Sequence, residues 1–326
     1  MTYGTSGSGR QSKNERREAA RTKSKALRDQ QRKKEKRSKI VLQGGVILAT
    51  LAILAVVTLV ILNSVKTPAP GPRNMLSDGI LISEGFAAKE TAGLKAGEKP
   101  VPNVVDSESG VIHIQMFVDY YCPVCGAFEK ANGEQLETWI ESGAAAVEIF
   151  PIAILDRASQ GTKYATRAAN AAACVADQSP DQYYDFNTIL FANQPKEGSR
   201  GLTDAELIEL TEEAGVSNPK KIADCIDELQ FGNWVDDARA RAQNGPIPNS
   251  DVDSVKGTPT IIVNGVKYTG ALNDSKAFSA FVLQAENARF VEESTATPTP
   301  APETEPEPAP APEPAPAPET VPAPAS

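Results

Sequence analysis

The chain has 326 residues, a net charge of −9 at pH 7, four cysteines and one histidine. One histidine, His113, excludes His-rich metal sites, and a Ser-His-Asp triad would have to use it. The charge is unevenly spread: residues 1–39 carry 14 Lys/Arg against 4 Asp/Glu, leaving 19 against 38 for the rest.

The basic segment 1–39 mixes Gly, Ser, Gln and charge, a composition with nothing to pack. It reads as a solvated tail beside an anionic membrane face, and no nucleic-acid partner is expected. From Ile40 to Leu62 there is no charge in 23 residues. As a helix that run would be about 34 Å long, enough to cross a hydrocarbon core of about 30 Å. The Lys/Arg excess before it places the N-terminus in the cytoplasm and everything after residue 62 outside. A cleaved signal peptide would need a shorter basic region and a shorter apolar core, so 40–62 reads as an uncleaved single-pass anchor.

Residues 63–74, with Thr67-Pro68-Ala69-Pro70-Gly71-Pro72, read as a linker. The folded domain is expected over 75–295. Within it, Val111–Val118 is a β-rich run bounded by Tyr120-Tyr121-Cys122-Pro123, and a helix is predicted from Pro123 to about Ser142. Gly143 ends that helix, and 146–150 read as a second strand. Strand, helix, strand suits a parallel βαβ unit. Residues 159–243 read as a helical insertion of about four helices, punctuated by Pro180, Asn193-Gln194-Pro195, Gly215 and Pro219. Asn264-Gly265 between 260–263 and 266–268 is a strong hairpin signal. A closing helix is predicted from Asp274 to Phe290. Residues 296–326 alternate Pro with Ala and Glu and read as a disordered acidic spacer. The expected class is α/β.

Cys122-Pro123-Val124-Cys125 is a C-x-x-C motif where a strand meets a helix. A thiol at a helix start faces unpaired N–H groups and the positive end of the dipole, which stabilise its thiolate. The thiolate attacks disulfides. Cys122 is therefore the candidate nucleophile and Cys125 the resolving thiol. A zinc half-site needs a second close pair, which Cys174 and Cys225, 51 residues apart, do not supply. Gly126 after the motif excludes haem attachment. No metal is expected. Outside the cytoplasm, two leftover cysteines pair, so a structural Cys174–Cys225 bridge is expected rather than a second redox centre.

The stretch Phe117-Val118-Asp119-Tyr120-Tyr121-Cys122-Pro123-Val124-Cys125-Gly126-Ala127-Phe128-Glu129 resembles the active-site region of the DsbA-like thioredoxin family, in particular its membrane-anchored members from Gram-positive bacteria. Gly257-Thr258-Pro259-Thr260 resembles that family's cis-proline loop. The resemblance covers about 100–290. It implies a thioredoxin fold with an inserted helical domain, preceded here by one transmembrane helix. It also implies that Pro259 is cis and faces Cys122, and that Thr258 offers backbone groups to an extended substrate chain. Pro123 and Val124 would lie at the same substrate surface. Strong oxidants of the family carry His where this chain has Val124, so a milder oxidant is implied. Asp119 and Glu148 are candidate proton acceptors, each an acid among apolar neighbours.

The function these readings predict is disulfide formation in unfolded secreted or cell-surface proteins, with a quinone-linked membrane partner to re-oxidise the pair. The redox group is the cysteine pair itself, so no cofactor is expected. With no heptad repeat, a monomer is expected. The alternatives are a reductase or isomerase using the same cysteines, and a non-catalytic wall-associated binding module.

Overall fold

The computed structural model describes residues 13–64, 69–105 and 109–295. The spacer 296–326 and residues 1–12 and 65–68 lie outside them. The chain divides after Pro68 into two units.

Among the described residues, the first unit is one helix, α1 (Lys13–Ser64). Its part from Ala20 to Val57 is long and apolar enough to cross a membrane. The helix begins well before the apolar run at Ile40. Residues 13–39 contain neither Gly nor Pro and are rich in Ala, Lys, Arg, Glu and Gln, all good helix formers. The segment is thus helical, where a solvated tail was expected.

The second unit is built on a mixed six-stranded sheet. Its strands are β1 (Ile80–Ser83), β2 (Ala87–Ala88), β3 (Ile112–Val118), β4 (Ala145–Pro151), β5 (Thr260–Val263) and β6 (Val266–Lys267), in the order β2-β1-β4-β3-β5-β6. β3 and β4 run parallel, with Ile112 opposite Ala145 and Val118 opposite Pro151. The crossover between them is helix α2 (Pro123–Glu141), the βαβ unit expected. β5 returns antiparallel to β3, with Phe117 opposite Thr260. Asn264 and Gly265 turn the β5–β6 hairpin at φ 46° and 85°, the positive values such a tight turn requires. Asp274 Oδ1 accepts from Lys276 N and Ala277 N and so caps α8 (Ser275–Thr295).

The insertion holds five helices: α3 (Tyr164–Gln178), α4 (Tyr183–Ala192), α5 (Asp204–Glu213), α6 (Pro219–Asp227) and α7 (Gly232–Asn244). The fifth arises because 219–243 breaks at Leu229, whose φ is 50°. Gly232 opens α7 three residues later, and a Cβ there would meet the Leu229 side chain at 2.7 Å. α3 buries seven alanines, small enough to let its neighbours approach closely. Cys174 of α3 is bonded to Cys225 of α6, with Cα atoms 6.0 Å apart.

The pleat sorts side chains onto two faces. Ile112, Ile114, Met116, Ala145, Val147 and Ile149 join one core with Cys122, Cys125 and the insertion helices. Phe117, Phe150 and Ile262 join a smaller core with Ile247, Val252 and Val255. Residues 69–74 differ from a linker. Arg73 pairs with Asp177, Asn74 Nδ2 donates to the Ala176 carbonyl, and Gly71 N donates to Leu94 O. A side chain at Gly71 would meet the Trp234 ring at 2.8 Å, so glycine lets this segment lie against the domain.

Candidate active site

β3 ends at Val118 and the chain turns through Asp119-Tyr120-Tyr121 into Cys122. The buried Asp119 carboxylate organises that turn. It accepts from Tyr121 N at 2.8 Å, Ile154 N at 2.7 Å and Leu155 N at 2.9 Å, and Cys122 N donates to the Asp119 carbonyl at 2.9 Å. Cys122 is the N-cap of α2 and Pro123 follows it, where a missing N–H leaves no bond unmade.

The antiparallel pairing of β5 with β3 brings the preceding loop to the same place. The Thr258–Pro259 peptide is cis, and the Cys122 thiol donates to the Thr258 carbonyl at 3.3 Å. Pro123 and Val124 are exposed beside it, Val124 by 47%. Cys122, Cys125, Thr258, Pro259, Pro123, Val124 and Asp119 therefore come together.

The two thiols, both free, sit in unlike surroundings. A hydrogen bond from Cys125 is the main influence lowering Cys122, ahead of opposing burial, aided by the Thr258 side chain and the N–H groups of Cys125 and Val124; the result is about 6. Burial pushes Cys125 well above the ordinary thiol range, and its bond to Cys122 adds to that. Burial also raises Asp119 to about 6, against the pull of its three N–H donors. One thiol is thus poised as an anion and its partner holds its proton.

Glu148 is placed elsewhere. It lies on the other face of the sheet, beside Phe150. There it accepts from Ser77 Oγ at 2.6 Å and Asn103 Nδ2 at 2.8 Å, and its second oxygen lies 3.0 Å from His113 Nε2. Three partners hold it away from the cysteines.

Two residues near the pair escape sequence reading. Glu129, one turn beyond Cys125 on α2, is buried, and burial followed by the charge of Glu137 raises it to about 7. Its spacing of four from Cys125 was a usable signal. Gln194, in the loop after α4, donates from Nε2 to the carbonyls of Tyr120 at 3.0 Å and Cys122 at 2.9 Å. Nothing local to Gln194 signals this contact across more than seventy residues.

The family model described as Thioredoxin matches residues 106–283. The chain belongs to the thioredoxin family. Among curated proteins it is 32% identical over 138 residues to the serine/threonine-protein kinase PknE of Mycobacterium tuberculosis, a match covering 41% of this chain and 22% of that protein. The chain thus matches only about a fifth of that kinase's length. It is 23% identical over 165 residues to the disulfide bond formation protein D of Bacillus subtilis, covering 49% of this chain and 67% of that one. Similar solved structures include the reduced disulfide bond oxidoreductase DsbG of Mycobacterium tuberculosis, with 28% identity, TM-score 0.49, and 67% and 95% of the two chains covered. Oxidised DsbA from Mycobacterium tuberculosis gives 30% identity, TM-score 0.48 and 67% and 100% coverage.

Proposed function

We propose that this protein is a membrane-anchored thiol–disulfide oxidoreductase that forms disulfides in secreted or cell-surface proteins outside the cytoplasm. The observation that carries the reading is the asymmetric cysteine pair at the start of α2, with the Cys122 thiol lowered to about 6 beside the half-buried Thr258–Pro259 peptide.

In the oxidised protein, a substrate thiolate attacks Cys122 Sγ. The Cys122–Cys125 bond breaks, a substrate–Cys122 disulfide forms, and Cys125 leaves with the electron pair. The high proton affinity of Cys125 draws a proton to it, and Asp119, poised near neutrality beside the pair, supplies it. The second substrate thiolate then attacks the substrate sulfur of the mixed disulfide and Cys122 leaves as a thiolate. The substrate has lost two electrons and two protons, and the cysteine pair holds the electrons. A quinone-linked membrane partner takes them away and restores the Cys122–Cys125 disulfide.

Substrates bind as extended, unfolded segments along the Thr258 backbone, with Pro123 and Val124 at the contact surface. Of the two candidate acceptors, Asp119 serves this chemistry and Glu148 does not, because Glu148 is held on the far face of the sheet. The enzyme acts as a monomer anchored by α1.

The test is a trapping experiment. Cys125→Ala with Cys122 first converted to its glutathione disulfide should exchange with a reduced, unfolded secreted protein that carries a single cysteine, releasing glutathione, and the resulting mixed disulfide persists because no second thiol is present to resolve it. It is expected at Cys122 by mass spectrometry, and Cys122→Ser should abolish it. Trapping that survives Cys122→Ser would reject the assignment.

A further inference from the structure

The turn that presents Cys122 is tied to the helical insertion in both directions. From the insertion, the Gln194 amide gives its Nε2 hydrogens to the Tyr120 and Cys122 carbonyls; a primary amide has two such hydrogens, and both are used. From the turn, the Tyr121 hydroxyl donates to the Ser199 carbonyl at 2.8 Å. The Cys122 carbonyl also accepts from Gly126 N at 3.2 Å, the first hydrogen bond of α2. The amide therefore grips the residue at which the helix begins.

Gly126 matters to the same contact. A Cβ added there would stand 2.4 Å from Gln194 Oε1 and 3.1 Å from Gln194 Cδ. Gly126 has no positive φ to explain a glycine, and glycine inside a helix is otherwise unfavourable by about 1 kcal/mol. Its evident role is to leave room for the Gln194 amide.

We propose that Gln194 is a positioning residue for the nucleophile, acting through the Tyr120 and Cys122 carbonyls, and that Gly126 is glycine to admit it. The proposal rests on the redox reading above. Held by this amide, the turn keeps the Cys122 sulfur against the Val124 and Cys125 N–H groups and Thr258. Without it, the Tyr120 carbonyl loses this donor, the turn relaxes, and the thiolate is less well stabilised.

The experiment follows the pH dependence of Cys122 alkylation by iodoacetamide on the full-length chain in detergent micelles, beside a glutathione titration of the same sample. Gln194→Met keeps the length and bulk of the side chain and removes both donors. It is expected to slow alkylation at pH 6 by about three- to tenfold, the effect of one or two lost hydrogen bonds, and to move the midpoint upward. Gly126→Ala should produce the same change by expelling the amide, and the double variant should change no further, because the two act on one contact. A Gln194→Met profile that overlays the wild type, even with a lowered melting temperature, would overturn the proposal. So would effects of the two substitutions that add. If Gly126→Ala does not fold, Gln194→Met decides alone. A wild-type chain with neither a low-pH reactive thiol nor a reversible couple would instead reject the redox reading.

Discussion

Cys122 and Cys125 stand three residues apart yet are shifted in opposite directions. Burial disfavours both thiolates, but only Cys122 receives enough hydrogen bonds to outweigh it. In the reduced protein, Cys122 alkylation should therefore have a midpoint near pH 6, whereas Cys125 in a Cys122→Ser variant should resist the reagent up to pH 9 or beyond. Equal reactivity of the two would contradict the assigned roles. A thiol lowered on folding stabilises the native state above its unfolded value and loses that contribution as pH falls through the folded value. The stability advantage of reduced wild type over Cys122→Ser should therefore grow from pH 6 to pH 9. Asp119 has the opposite sign. Its folded value of about 6 lies above the ordinary 3.8, so ionisation is harder in the folded chain. Its contribution is greatest below pH 4, declines through pH 4–6 and stays low above. The decline is on the order of 3 kcal/mol. Urea unfolding of wild type and Asp119→Asn at pH 4.5 and 7.5 should show the variant losing less stability over that interval. A larger loss in the variant would contradict the sign.

At the scale of elements, the Cys174–Cys225 bridge ties α3 to α6 across 51 residues of chain. Replacing both cysteines with alanine should cost about 4 kcal/mol by loop entropy, read as a fall in the denaturant midpoint. The Cys122 alkylation profile should be unchanged, since the bridge lies outside the active-site contacts. A changed profile would make the bridge part of the site. The elements legible in the sequence share a property: each is announced by a local pattern. β3, α2 and β4 follow from a β-rich run, Pro123 and Gly143, and the hairpin from Asn264-Gly265. Where geometry was met without its usual residue, the pattern failed. Leu229 itself takes the positive φ between α6 and α7, and the nearby Gly232 opens α7 without occupying that position. β1 and β2 are four and two residues long, too short for an alternation to be counted. The cysteines, Thr258, Pro259 and Asp119 were legible because they flank chain-local motifs. Gln194 was not, because its contact exists only once the insertion folds back onto the turn. Glu148 misled because burial of an acid does not say which sheet face it occupies.

For the whole molecule, α1 supplies an apolar segment long enough to cross a membrane, and the proposed function has the basic residues before it orient the chain with the domain outside. After intact cells are treated with a membrane-impermeant reductant, a membrane-impermeant maleimide should label Cys122, and labelling that appears only after lysis would place the domain inside. The central claim is that the thiolate-stabilising environment of Cys122 makes the disulfide a good electron acceptor. A couple whose reduced form is stabilised is an oxidant. The most direct test is the reduction potential of the Cys122–Cys125 pair in the full-length protein, equilibrated against glutathione. The account predicts a value above about −200 mV, whereas a value near about −270 mV would make the dithiol an electron donor and the protein a reductase.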